Sequence, residues 1–379
     1  MTGPLRGVRI VTMGGLGPGP FCGMLLGDLG AEVVRIDMPR AVDGLLPVDY
    51  TVRRSQRSIA LDVKAPAGRT ILLQLVENAD AFIDVFRPSV AERLGIGPDD
   101  LHEVNPRLVY ARMTGYGQDG PLADRAGHDI NYIALAGALH CIGTADAPIP
   151  PLNLVGDYGG GGMLLAVGLL SAILDARTSQ QGQVVDVAMV DGAATLMTPY
   201  YGMVAAGTWQ DRRHANVLDG AAHYYGVYET ADAKHVAVGA MEPQFYAELC
   251  EHLDIEVPQD ENDPTAWSAH RAALSARFRE KTRAEWEQQL SSPGCCAAPV
   301  LSLAEAPKHP HNVARGTFID IDGVVQPAPA PRFSRTAPHK PTGPALPGDH
   351  TREVLAELGH DDEAIAGLLD SRVARQSSD

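Results

Sequence analysis

Basic residues are in the minority in this chain of 379 residues: 31 Lys and Arg stand against 47 Asp and Glu, a net charge of −16. That balance excludes a broad nucleic-acid surface, which needs a basic footprint. An anionic small ligand would have to be held by a local cluster of Arg and Lys. Cysteine is scarce as well. Cys22, Cys141, Cys250, Cys295 and Cys296 are scattered and odd in number, with no Cys-x-x-Cys and no Cys/His zinc spacing. Neither a disulfide framework nor a bound metal is therefore expected, and small buried thiols in a reducing cytosol are. Long apolar runs are missing too. The longest, Met163–Leu174, has about twelve residues, short of the ~20 that span a bilayer. Met1–Arg9 enters strand-type sequence without an apolar signal core. A cytoplasmic protein with no membrane span is the expectation.

What remains is an ordinary globular composition, 45% hydrophobic and 21% charged, in a chain long enough to bury a large core. Val8–Val11 reads as a strand, Gly14–Pro20 as a turn, Phe21–Leu29 as a helix and Glu32–Ile36 as a second strand. The pattern repeats with a helix over Ala67–Glu77 and strands over Ala81–Val85 and Leu108–Met113. A buried-type helix from Asp157 to Ala176 and a strand over Gln183–Val187 follow. Such alternation predicts an α/β fold with a doubly wound, mostly parallel sheet. The expected division is a large domain over 1–188, a linker 189–221, a smaller α/β domain 222–302, a linker 303–327, and a return to the large domain over 328–379. Ile319–Pro347, rich in Pro and Gly, reads as an extended segment, Asp349–Leu369 as a helix and Arg372–Asp379 as a frayed end.

The first forty residues imitate a dinucleotide-binding fingerprint, with Asp37 about twenty residues past the glycines. The glycines are Gly14, Gly15, Gly17 and Gly19, interrupted by Pro18 and Pro20, and no Gly-x-Gly-x-x-Gly can be written. Proline also removes amide donors that a pyrophosphate would use. A tight turn serving packing is the better reading.

Two runs carry side chains suited to moving protons: Gly127-His128-Asp129-Ile130-Asn131-Tyr132 and Gly156-Asp157-Tyr158-Gly159-Gly160-Gly161. Each precedes an apolar helical stretch, Ile130–Leu139 in the first case. A helix N-terminus stabilises a carboxylate and biases an imidazole towards its neutral form. Asp157 reads as a cap with glycines that admit a ligand to the backbone, and Asp129 as the cap of its own helix. Glu242, in Gly239-Ala240-Met241-Glu242-Pro243, follows a strand and begins a helix. Taken alone, each also reads as ordinary structure: a cap, a loop histidine and a first-turn acid.

The runs Ala126–Tyr132 and Pro150–Asp157 closely resemble those of the α-methylacyl-CoA racemases, within the family III CoA-transferase superfamily. The likeness extends through Gly17–Pro20, Leu26–Gly30, Val33–Asp37, Arg87-Pro88, Glu92–Gly95, Thr114–Gln118, Ala240–Tyr246, Pro299-Val300 and Arg332–Ser334. It implies an interlocked homodimer with each active site between the large domain of one subunit and the small domain of the other. It implies His128 and Asp157 as the two acid/base groups, with Glu242 of the partner subunit supporting the histidine. The CoA handle is expected along Leu61, Asp62, Val63, Val85 and Phe86, its phosphates held by Lys64, Arg87 and Arg93. Where the family commonly carries Arg, two residues before Arg40, this chain has Met38.

The chemistry implied is epimerisation of a 2-methylacyl-CoA thioester. A proton α to a thioester is weakly acidic, so a positioned base and a stabilised enolate oxygen are required. The Gly156–Gly161 amides are candidates to receive that oxygen. No separate cofactor is implied, because CoA is part of the substrate. The alternative within the superfamily is a CoA-transferase, in which Asp157 would attack as a nucleophile and form a mixed anhydride. A histidine opposite the carboxylate favours proton transfer. The acyl chain is not legible, since any apolar groove accepts many chains.

Overall fold

The computed structural model describes residues 2–42, 44 and 50–377. The chain divides into two compact units, Met1–Ala136 with Pro151–Met197 and Phe318–Asp379, and Gly137–Pro150 with Thr198–Thr317.

The first unit is built on strands β1 (Arg9–Met13), β2 (Glu32–Asp37), β3 (Arg57–Leu61), β4 (Ala81–Asp84), β5 (Val109–Thr114) and β6 (Gln183–Ala188). They form one sheet in the order β3-β2-β1-β4-β5-β6, and all these pairs are parallel. Successive residues of a strand point to opposite faces. Accordingly Val11, Val34, Phe82 and Tyr110 enter one core, and Ile10, Val33, Ala81 and Val109 enter another. Helices Pro66–Glu77, Pro98–Val104 and Thr351–Glu357 cover the first face through Ile71, Leu101 and Val354. Helices Pro18–Asp28 and Leu164–Ser179 cover the second through Leu26, Leu165, Leu169 and Ile173. Each large apolar side chain buried in this way contributes about 1.5–3 kcal/mol. The sheet is doubly wound, and its order reverses between β1 and β4, where ligands of such folds enter.

The imitation fingerprint resolves into packing. A Cβ on Gly15 or Gly19 would come within 2.9 or 2.7 Å of Val85, so the turn rests directly on the end of β4. Asp37 is buried and occupied, bonding Arg35 at 2.8 Å, Arg53 at 3.3 Å and the Ser58 hydroxyl at 2.7 Å. Both of its oxygens are engaged within the fold.

Several segments differ from the sequence reading. The expected extended segment begins with a hairpin, β10 (Phe318–Ile321) and β11 (Val324–Pro327), turned at Asp322 and Gly323, both with positive φ. β11 is tied to the first unit where Arg54 donates to Gln326 and Pro327. The expected single tail helix is two, Thr351–Glu357 and Asp362–Asp370, separated at Gly359, whose φ of 90° leaves the helix. The expected frayed end contains β12 (Ala374–Arg375), which pairs antiparallel with β3 and covers that sheet edge. Ser378 and Asp379 of that end lie outside the described residues. The helix expected over Ile130–Leu139 runs Asp129–Leu135 and breaks at Gly137, with φ of 80°.

The second unit has a three-stranded antiparallel sheet, β7 (Tyr225–Glu229), β8 (His235–Gly239) and β9 (Ala297–Pro299). Helices Pro243–Leu253, Trp267–Phe278 and Arg283–Gln289 close its core around Tyr228, Phe278 and Trp286. Helix Pro310–Arg315, from the expected second linker, belongs to this unit.

One helical run, Leu154–Ser179, has the length and apolar character to cross a bilayer. Its Leu165, Leu169 and Ile173 instead pack into the second core of the sheet.

Candidate active site

A cleft of about 290 Å3 opens at the C-terminal ends of β1, β4 and β5. Its walls include Val85, Phe86 and Arg87 from the end of β4, Met113–Tyr116 from the end of β5, and Gly127, His128 and Tyr132. The cleft therefore occupies the switch point that the strand order creates. A larger cavity of about 770 Å3 lies in the second unit, lined by groups such as Val227, Val238 and Pro293. Its charged lining residues, Glu287 and His309, bond to each other at 3.0 Å. The acid/base groups singled out in the sequence are in the smaller cleft and beside it.

His128, exposed, is the N-cap residue of helix Asp129–Leu135; its amide donates to Asn131 Oδ1 at 3.0 Å. The Tyr132 hydroxyl, one turn on, donates to the carbonyl of Gly127. The Tyr132 ring meets Tyr116 edge to face at 4.9 Å and would lie 2.8 Å from a Cβ on Gly127. A glycine is thus required directly before His128. Burial, with the charges of Asp157 and Asp129 and the neighbouring Tyr116, pushes the Tyr132 phenol up to about 12, so it stays a donor.

Asp129 does not cap its own helix, contrary to the sequence expectation. Its buried carboxylate crosses to the second run, where Oδ2 accepts the amides of Gly156 at 2.6 Å and Asp157 at 2.8 Å. Those two amides are consequently occupied, which corrects the expectation that they stand open to an enolate. The second run is a π-helix, Leu154–Met163, leading directly into helix Leu164–Ser179. π-Helical turns are rare and concentrate at functional sites. Asp157 lies inside this segment, four residues after Asn153, and is not a cap of the helix that follows.

The glycines after Asp157 answer to packing. A Cβ on Gly160 would lie 2.6 Å from the Ala193 amide nitrogen, and one on Gly162 would lie 2.6 Å from the Phe21 ring. Gly161 is enclosed by Met189 and Pro18. Close approach of helices Met189–Leu196 and Pro18–Asp28 explains the run without a ligand.

The Asp157 carboxylate is half-buried and accepts from Asn153 Nδ2 at 3.0 Å. Its Oδ2 would touch a Cβ on Gly17 at 3.2 Å, which places the first turn of the chain against it. Burial raises its pKa above the usual carboxylate range. The Asn153 hydrogen bond opposes this, the like charge of Asp129 adds to it, and His128 opposes it. A carboxyl held in this way binds its proton more tightly than an exposed one.

Other expected residues are placed differently. Leu61 and Val63 are buried in the first core, and Asp62 Oδ1 accepts the Lys64 amide at 3.0 Å. They lie at the end of β3, two strands from the switch point, with Lys64 and Arg93 exposed and outside the cleft walls. Met38 and Arg40 are exposed after β2. Tyr158 packs on Phe21 at 4.7 Å, Gly159 sits within the π-helix, and Ile130 is exposed. Glu242 belongs to the second unit, exposed at the N-cap of helix Pro243–Leu253. Sequence reasoning passed over Asn153, whose i−4 spacing from Asp157 was the available signal, and Tyr116, Arg125 and Met189 on the cleft walls.

The described residues contain five free cysteines, three of them buried. Cys295 comes together with Glu248 and His252 in a group of potential metal donors. Glu248 Oε1 is bonded to Ser292 and Gly294, and burial holds the Cys295 thiol protonated.

Residues 5–351 match the model of the CoA-transferase family III, and the chain belongs to that family. It is 42% identical over 375 residues to the α-methylacyl-CoA racemase of Mus musculus, covering 97% of each chain. To the α-methylacyl-CoA racemase of Homo sapiens it is 40% identical over 384 residues, again covering 97% of each. Its fold matches the crystal structure of a CAIB/BAIF family protein from Brucella suis with a TM-score of 0.81, over 94% of this chain and 100% of that one, at 24% identity.

Proposed function

We propose that this protein is an isomerase, an α-methylacyl-CoA racemase that epimerises 2-methylacyl-CoA thioesters by 1,1-proton transfer. The observation that carries the reading is the Asp129 bridge, which joins the His128 run to the backbone of Asp157 beside the switch-point cleft. Similarity to two racemases over 97% of the chain supports the substrate class.

In this reading the pair His128 and Asp157 holds one proton. One member removes the α-proton from one face, and the electrons move onto the thioester oxygen as an enolate. The other member returns a proton to the opposite face, and the roles exchange in the reverse direction. Arg87, exposed on the cleft wall, is a cation for a CoA phosphate, and Val85 and Phe86 flank the pantetheine. Lys64 and Arg93 are proposed as further phosphate contacts, and no cofactor besides the substrate's CoA enters the reaction.

We further propose a homodimer in which Glu242 of one subunit supports His128 of the other. Exposed Leu154, Met163, Val167 and Leu174 make an apolar face on the first unit that suits cover by a second copy. The free cysteines fit a reducing, cytoplasmic setting.

The test is proton exchange. A single epimer of a 2-methylacyl-CoA is incubated with the protein in D2O, and deuterium at the α-carbon is followed together with epimer composition. Exchange with epimerisation is expected. No exchange, together with CoA transfer to an added carboxylic acid, would replace this reading with acyl transfer through an Asp157 anhydride.

A further inference from the structure

Proton transfer between two faces of one carbon demands that both groups keep a fixed separation, because a displacement of about 1 Å can cost about 100-fold in rate. His128 and Asp157 lie on different elements, and helix Asp129–Leu135 and the π-helix have no covalent reason to hold a common register. The described structure contains one direct polar tie between them, the Asp129 carboxylate. It is 6% exposed, follows His128 in the chain, and receives the amides of Gly156 and Asp157 on a single oxygen. The other oxygen, Oδ1, is buried and has no hydrogen-bond partner. Leaving a buried carboxylate oxygen unpaired is costly.

We propose that Asp129 is a positioning residue for proton transfer, its buried carboxylate fixing the backbone of Asp157 relative to His128 and so setting the separation of the two proton-carrying groups. The inference rests on the racemase reading and deepens it.

The steric surroundings agree. A Cβ on Gly156 would lie 2.5 Å from Asp129 Oδ2 and 3.2 Å from Ile133, so only glycine admits the carboxylate here. The position also places a negative charge beside Asp157, and that charge helps to lift the proton affinity of the Asp157 carboxyl. The groups acting on that carboxyl are Asn153 from its own helix, with His128 and Asp129 from the facing one. Tyr132, also on the facing helix, stays neutral and feels the Asp157 charge. In a pair that holds one proton, the acid limb of the rate profile marks the passage from the doubly to the singly protonated state. Removing the Asp129 charge weakens the pair's hold on its second proton and so moves that limb to lower pH.

The test uses the full-length protein with a 2-methylacyl-CoA thioester, following α-exchange in D2O and epimerisation. D129A removes the tie, and kcat is expected to fall about 100-fold with KM within about threefold of wild type. D129N keeps an acceptor oxygen for the two amides but removes the charge, and the acid limb of its kcat/KM profile is expected at lower pH. G156A, which pushes the carboxylate out from the opposite side, is expected to lower kcat as D129A does. A D129A kcat within threefold of wild type, or a D129N acid limb that overlays the wild-type limb, overturns the inference while leaving the racemase reading intact. Wild-type protein without α-exchange overturns both. Thermal melting accompanies each variant, and D129N decides the matter if D129A does not fold.

Discussion

The carboxylate of Asp129 accepts the backbone amide of Asp157 at 2.8 Å, across 28 positions of the chain. Through that bond the residue after His128 takes hold of the backbone of the second acid/base candidate. The switch point of the sheet supplies the cleft, and this bond ties the chemistry beside it.

Removing either acid/base group should abolish epimerisation and leave binding. H128A and D157A are each expected to lower kcat by at least about 1,000-fold, within the range associated with a lost general acid or base. Their affinity for acyl-CoA, measured by calorimetry, should stay within a few-fold of wild type. Turnover near the wild-type rate in either variant would end the two-base assignment.

Tyr132 bears on the same pair from the side of His128. In Y132F the ring and its packing against Tyr116 are kept, and the hydroxyl bond to the Gly127 carbonyl is lost. The lost bond is worth about 1 kcal/mol, so kcat should fall about five- to tenfold. A kcat unchanged in Y132F would mean that the Gly127 carbonyl does not steer its neighbour.

Arg87 provides a check on CoA recognition. R87A should raise KM for the thioester about tenfold or more, the consequence of losing a charge-assisted hydrogen bond to phosphate. Its kcat should change little, and its salt dependence should be weaker than that of wild type. If kcat falls and KM does not, Arg87 acts on the reacting centre instead.

The glycine run after Asp157 makes a stability prediction. G160A places a methyl group 2.6 Å from the Ala193 amide nitrogen, where two helices meet backbone to backbone. Forced separation of this kind costs about 1–3 kcal/mol, and the melting temperature should drop by several degrees. A melting temperature equal to wild type would return the glycines to a ligand-binding role.

Asp84, at the end of β4, titrates in the range where stability is readily measured. Burial pushes its pKa up to about 6, although the Phe86 amide and the Tyr110 hydroxyl both donate to it. The folded state therefore binds a proton more tightly than the unfolded chain, whose carboxyl titrates near ~3.9. This contribution to stability is fully present below about pH 4 and is lost as the pH rises through about 6. The loss is at most about 3 kcal/mol. Melting temperatures at pH 4, 5, 6 and 7 should fall more steeply for wild type than for D84N. Parallel curves would refute the assignment.

The sequence by itself determined the layered α/β architecture, because strand and helix periodicities are local and read directly from apolar spacing. Strands β1, β2, β4, β5 and β6 and the helices Pro18–Asp28 and Pro66–Glu77 lie within a few residues of where that spacing puts them, whereas β3 and helix Pro98–Val104 were not read from it. It also excluded the dinucleotide fingerprint, since Pro18 and Pro20 cannot donate amides, and Asp37 is indeed taken up by Arg35 and Arg53. The His128 and Asp157 runs were legible through their likeness to a family.

Only the tertiary structure decided what the residues around them do. Gly160 and Gly162 are small because helices distant in sequence press on them, and β12 forms because β3 offers an open edge. The π-helical setting of Asp157 is tied to a carboxylate 28 residues away, and a contact of that separation leaves no mark on local periodicity. Likeness to the family could propose two proton carriers. Their relation to each other was set by folding, which brings Asp129 under the amides of Gly156 and Asp157.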